Sequence, residues 1–136
     1  MFKLIKIENA RMNVPEPEFL EVTAYEAIVE GEALVLSSGK LTKCGTTTKP
    51  AFIAMAALAA AATKRVIPVC RVESNQLYEV PIYKSSTTLS IPAVGAAVCL
   101  KSDGVALTDA TTSGVVTIVD KNGAAAEGDT IIVRIA

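Results

Sequence analysis

Gly31-Glu-Ala-Leu-Val-Leu36 and Gly95-Ala-Ala-Val-Cys-Leu100 are one pattern written twice, 64 positions apart. Ser38-Gly39-Lys40-Leu41-Thr42 is answered by Ser102-Asp103-Gly104-Val105-Ala106-Leu107-Thr108, with a longer turn in the second copy. The offset of 64 returns at Ala51-Phe-Ile-Ala-Met55 against Val115-Val-Thr-Ile-Val119. It persists through Ala60-Ala-Ala62 against Ala124-Ala-Ala126, and Val66-Ile-Pro-Val69 against Thr130-Ile-Ile-Val133. Self-similarity at a fixed period marks a repeated supersecondary unit. Two copies are too few for a solenoid. The duplication therefore predicts a compact, mainly β domain over residues 22–136, a barrel or sandwich built from two pseudo-repeated halves, 22–72 and 86–136.

Inside each copy the punctuation is that of short strands. Ala33-Leu-Val-Leu36 reads as a strand and Ser37-Ser-Gly39-Lys40 as a hairpin turn in which glycine supplies φ > 0. Leu41 to Cys44 returns from that turn, and Asn122-Gly123 marks another in the second copy. Ala51 to Ala62 carries two conflicting signals. Alanine has the highest helix propensity, and Met55, Leu58 and Ala62 fall on one helical face. The matching run Val115–Val119 is β-branched and is followed by a turn. The repeat favours strand over 51–57, with the alanines as a loop that leaves room for one short helix. Pro68 places the closing strand, Val66–Val72, at an edge or bulge. Leu77–Tyr83 reads as an added strand, and Lys84–Thr88 as the linker into the second copy.

Residues 1–21 lie outside the repeat and read as an extended N-terminal arm. Phe2-Lys-Leu-Ile-Lys-Ile7 suits an edge strand, while Pro15 and Pro17 hold Asn13–Phe19 out of helix. Its apolar teeth have two possible destinations. The arm either adds to a neighbouring chain or folds back on its own body. On the first alternative residues 2–19 are removable without loss of the fold.

Totals narrow the function. At 136 residues the chain is long enough to bury a core, and its formal net charge of −1 lacks the basic face a nucleic-acid binder needs. There is no histidine, which removes the commonest general base and metal ligand. Cys44, Cys70 and Cys99, odd in number and far apart, read as small buried apolar side chains. The acidic residues read as solvated surface, as does the basic pair Lys64-Arg65. Asp120-Lys121 at a turn is similar to the modified lysine of lipoyl carrier domains, but its flanks do not match that motif. No nucleophile has a base beside it, so the reading is of a non-enzyme without cofactor or metal. The apolar run Ala51–Ala62 is shorter than the ~20 residues of a membrane helix, and Met1–Ile7 is cut short as a signal peptide by Glu8 and Arg11. A chain made and kept in the cytoplasm, off the membrane, is expected. With 51% hydrophobic but only 4% aromatic residues, it suits contact with protein better than enclosure of a small molecule.

Gly31-Glu-Ala-Leu-Val-Leu-Ser-Ser-Gly-Lys-Leu41, Lys49-Pro-Ala-Phe-Ile-Ala54 and Ile67-Pro-Val-Cys-Arg-Val72 together resemble small capsid decoration proteins of tailed bacteriophages. Lys6-Ile-Glu-Asn9, Val14-Pro-Glu-Pro17 and Leu77-Tyr-Glu-Val-Pro81 share the likeness, which covers most of the chain. The resemblance implies a structural virion protein on the capsid exterior, made in the bacterial host. Such a protein binds the major capsid protein and further copies of itself, as a homotrimer, and clamps neighbouring capsid subunits through its arm. It has no catalytic residues to carry over. On that reading Phe2, Leu4, Ile5, Ile7, Val14, Pro15, Pro17 and Phe19 make the capsid or inter-protomer contacts. Another phage module, a tail tube, fibre base or adhesion domain, is the nearest alternative; an enzyme or carrier domain is a more distant one.

Overall fold

The computed structural model describes residues 1–135, and among them eleven strands and no helix are formed. In chain order they are β1 (Lys3–Ile7), β2 (Glu18–Glu21), β3 (Ala33–Ser37), β4 (Lys40–Lys43), β5 (Phe52–Ala54) and β6 (Val66–Arg71). There follow β7 (Gln76–Tyr83), β8 (Ala97–Val98), β9 (Leu107–Thr108), β10 (Val116–Asp120) and β11 (Thr130–Arg134). A five-stranded sheet runs β2-β6-β5-β3-β4, and a six-stranded sheet runs β1-β7-β11-β10-β8 with β9 joined to β7. All ladders are antiparallel except that between β7 and β9.

The duplication is written into the register. Ala33 stands opposite Ile53 and Leu34 opposite Phe52; adding 64 gives Ala97 opposite Thr117 and Val98 opposite Val116, the pairs observed. Ile53–Cys70 and Ala54–Val69 become Thr117–Arg134 and Ile118–Val133 in the same way. The turn that opens each copy closes alike, with Gly31 N donating to Ala54 O and Gly95 N to Ile118 O, both at 2.8 Å. Equivalent hairpins need not be equal: Leu36 pairs with Leu41, Leu100 with Leu107, and the loop before β10 is shorter by the same two residues.

Each sheet curls, and isolated bridges link strands that stand apart in its order. In the first half a parallel bridge joins Val22, just past β2, to Leu41 of β4. In the second, Leu107 is bridged to Leu100 and runs parallel beside Ile82 of β7. Neither ladder is continuous around the circle. The architecture is thus a sandwich of two curled sheets, and a true barrel does not form.

Each curled sheet encloses its own core, and the two cores correspond residue by residue. Leu34, Phe52, Ala54, Ile67 and Val69 line the first; Val98, Val116, Ile118, Ile131 and Val133, 64 further on, line the second. Ala33, Cys44 and Ile53 face the other way from the first sheet and are buried in the second half's core, which seats the halves on each other. Ser38 and Gly39 both have φ > 0, the two-residue turn that a right-twisted hairpin requires, and Asn122-Gly123 does the same before β11.

The strand expected over 51–57 is confined to Phe52–Ala54, and the alanines that follow are loop. High helix propensity is overridden because Leu58 is committed to Ile28 by a reciprocal pair of backbone bonds of 2.9 and 2.8 Å. Pro68 is not on an edge, since β6 lies between β2 and β5. Its carbonyl accepts from Met55 N at 3.0 Å, and its donorless nitrogen faces the same way, past Ala54 where β5 ends.

Candidate functional site

The arm folds back on its own body. Leu4 of β1 pairs with Tyr78, and Ile7 pairs with Gln76, around a bulge that leaves Ile5 without a cross-strand partner. Phe2 N donates to Gly31 O at 2.9 Å and the Phe2 ring is 3% exposed. Its burial contributes about 2 kcal/mol, so the arm is not a removable tail. Residues 8–17 then cross from one sheet to the other as a strap. Asn13 Oδ1 accepts from Ile7 N at 2.9 Å, and Arg134 Nη1 meets Glu8 Oε2 at 2.8 Å, which fixes where the strap begins. Beyond the two prolines, β2 pairs with β6, Phe19 opposite Pro68, and Arg71 forks onto Glu18 with bonds of 2.8 and 2.7 Å.

The eight residues expected to make contacts separate into two groups. Phe2 belongs to the core; Leu4, Ile5 and Ile7 are half-buried on β1. Val14 and Phe19 are 70% and 67% exposed, Pro17 is exposed, and Pro15 is half-buried. Met12, not singled out in the sequence, is as exposed as Val14. Beneath the strap a pocket of about 270 Å³ opens to solvent, lined by Leu4, Val14, Pro15, Ile53, Met55 and Tyr78 among others. Met12 carried no periodic signal that would have marked it, and the helical spacing that included Met55 pointed to a helix that does not form.

The first half of the chain differs in its surface from the second. All but one of the large apolar side chains exposed among the described residues lie in the first 66 positions, the exception being Val94. The repeat supplies the comparison within one chain. Exposed Met55 and Val66 correspond to half-buried Val119 and polar Thr130, and Phe19 corresponds through the strand pairing to Glu79.

The other groups considered for chemistry are engaged structurally. Cys44, Cys70 and Cys99 are buried and free, and burial pushes the Cys44 thiol up to about 11. Cys70 sits with Gln76 and Tyr78 in a buried polar network, Tyr78 Oη donating to Gln76 Oε1 at 2.8 Å. Burial also raises the Tyr78 phenol. Lys121 Nζ donates to Ile91 O at 3.1 Å, so the lysine at that turn is tied to its own chain. Arg65, read from sequence as solvated, is half-buried and holds three backbone carbonyls, those of Thr23 (2.8 Å), Glu26 (2.9 Å) and Ala59. No helix among the described residues is long and apolar enough to cross a membrane. No protein-family model matches the chain, and no curated protein sequence does either.

Proposed function

We propose that this chain is a structural virion protein of a tailed bacteriophage, which binds the outside of the capsid and stabilises it by clamping neighbouring subunits. Its partners on this reading are the major capsid protein and further copies of itself, as a homotrimer, and it works without catalysis. The family resemblance supplies the class. The observation that supports the reading is the concentration of exposed large apolar residues in the first 66 positions, among them Met12, Val14 and Phe19. Large apolar side chains left exposed in one part of a chain fit a protein-docking role. Two halves seated on each other provide a stiff body behind it. Several such weak contacts, linked on a fixed lattice, add through high effective concentration and oppose the outward push of packed DNA.

The test is co-sedimentation of purified protein with expanded heads and with procapsids. The protein should pellet with expanded heads. A Val14→Asp, Phe19→Asp double variant should fold normally and bind at least about tenfold more weakly, as expected for anchors at the centre of an interface. Undiminished binding by that variant would remove the assignment. Assembly into rings or fibres without affinity for heads would favour a tail or fibre-base module instead.

A further inference from the structure

Glu32 is an acid in the wrong place for a surface residue. It is 1% exposed, in the turn that opens the first copy, and the second half's turn is packed directly over it. A Cβ added to Gly104 would stand 3.1 Å from Glu32 Cγ, closer than ordinary contact, and the φ of +71° there also favours glycine. Two backbone bonds cross the seam here, Ala33 N to Gly104 O at 2.8 Å and Leu100 N to Thr46 O at 2.9 Å. Glu32 Oε2 accepts from Val29 N at 2.8 Å, while Oε1 has no hydrogen-bond partner. A buried carboxylate oxygen left without a donor is costly when ionised.

The repeat shows that the fold does not demand this carboxyl. The equivalent residue is Ala96, and its turn closes with the same geometry: Ala96 N to Ala93 O at 3.0 Å, Glu32 N to Val29 O at 3.1 Å. Burial favours a proton on Glu32, and the charges around it are of both signs. One cation approaches, Lys43 of β4, whose Nζ stands 4.0 Å from Oε1 on a side chain 56% exposed. Against it stand Glu26 from the preceding loop and Asp103 from the second half's turn. Asp103 is itself held by Lys101 at 2.7 Å and faces the amino group of Met1.

We propose that Glu32 is a proton-operated latch on the seam between the two halves. With the carboxyl neutral, the Gly104 turn lies closed over it. When it ionises, Oε1 requires water or the Lys43 ammonium, and the seam loosens to admit one of them. The latch is independent of the capsid reading.

The direction follows from burial, which holds this carboxyl above the usual range while Val29 N and Lys43 oppose the rise. The folded chain therefore keeps a proton that the unfolded chain releases. The associated stability is complete below the ordinary glutamate value of about 4.3 and is lost as pH rises through the folded value.

Glu32→Gln separates charge from shape, because the amide retains an oxygen for Val29 N. Urea midpoints of the two proteins should coincide near pH ~4 and diverge toward pH ~8, with the variant the more stable. At the higher pH the Ala33 and Leu100 amides of the unsubstituted protein should exchange about tenfold faster than those of the variant. Parallel stability profiles would overturn the latch. Should the variant fail to fold, NMR titration of the Glu32 carboxyl in the unsubstituted protein decides: a midpoint above the ordinary range supports the latch, and one at or below it refutes it.

Discussion

The Phe2 ring meets the Tyr78 ring edge-on, with centroids 6.1 Å apart and planes 78° from each other. Through this contact the first residues of the arm become part of the second half's core. Phe2→Ala should lower stability by about 3 kcal/mol, in the range for removing a buried aromatic ring, with a lower urea midpoint and unchanged slope. Val14→Ala, on the exposed strap, should leave the midpoint within about 0.5 kcal/mol of the parent.

Arg65 is the tie for the loops that cover the first core. Its guanidinium binds the carbonyls of Thr23, Glu26 and Ala59, and its buried Nε has no acceptor. Arg65→Met keeps much of the stem and removes the donors, so it should cost about 2 kcal/mol. Hydrogen exchange should rise first at Tyr25 and Leu58, whose amides bond across that covering.

Gly114 is held by sheer proximity. A Cβ there would lie 2.4 Å from both the carbonyl carbon and oxygen of Ala97. Gly114→Ala must therefore part β8 from β10, at about 3 kcal/mol in urea denaturation. Gly123→Ala meets nothing within 4 Å and strains only a φ of +72°, so its cost should be about 1 kcal/mol.

Asp109 organises the linker between the halves, its two oxygens accepting from Ser85 N at 2.6 Å and Ser90 N at 2.7 Å. Partial burial alone would raise this carboxyl, but the bonds from Ser85 and Ser90 outweigh it and hold the group below its ordinary value. A depressed folded value means that the stabilisation is present above the unfolded pKa, about 3.9, and is lost as pH falls through the folded one. Amide exchange at Ser85 and Ser90 should therefore accelerate, relative to neighbouring linker amides, as the solution is acidified. Asp109→Asn should show the loosened linker at neutral pH.

The duplication was legible because it depends on local signals, turn glycines and β-branched runs at a constant spacing, and the pairing registers repeat at that same offset. The arm's partners were not legible. The same short apolar and basic run serves equally well on a neighbouring chain or on β7, and only the buried surface waiting at Tyr78 decides between them. Glu32 and Arg65 looked like ordinary surface charges for a related reason: what encloses them comes from segments distant in sequence, the Gly104 turn over one and the Thr23–Glu26 loop over the other. Val14 and Phe19, singled out in the sequence for contacts, are exposed, while equally exposed Met12 went unmarked. Pro68 was misplaced because a missing donor is also tolerated inside a sheet when the neighbouring strand stops one residue short.

The matched registers expose this chain to a particular folding error, since a strand from one half fits the backbone ladder of the other. Side-chain volume discriminates where hydrogen bonds cannot. Phe52 answers Val116 and Ala54 answers Ile118, so bulk and smallness are exchanged between the two positions. A transposed strand would leave a hole where the ring belongs and force a branched side chain into the space of a methyl. Both faults are penalised by kilocalories. Two inverted size choices thus proofread the assembly of a molecule whose main chain cannot tell its own copies apart.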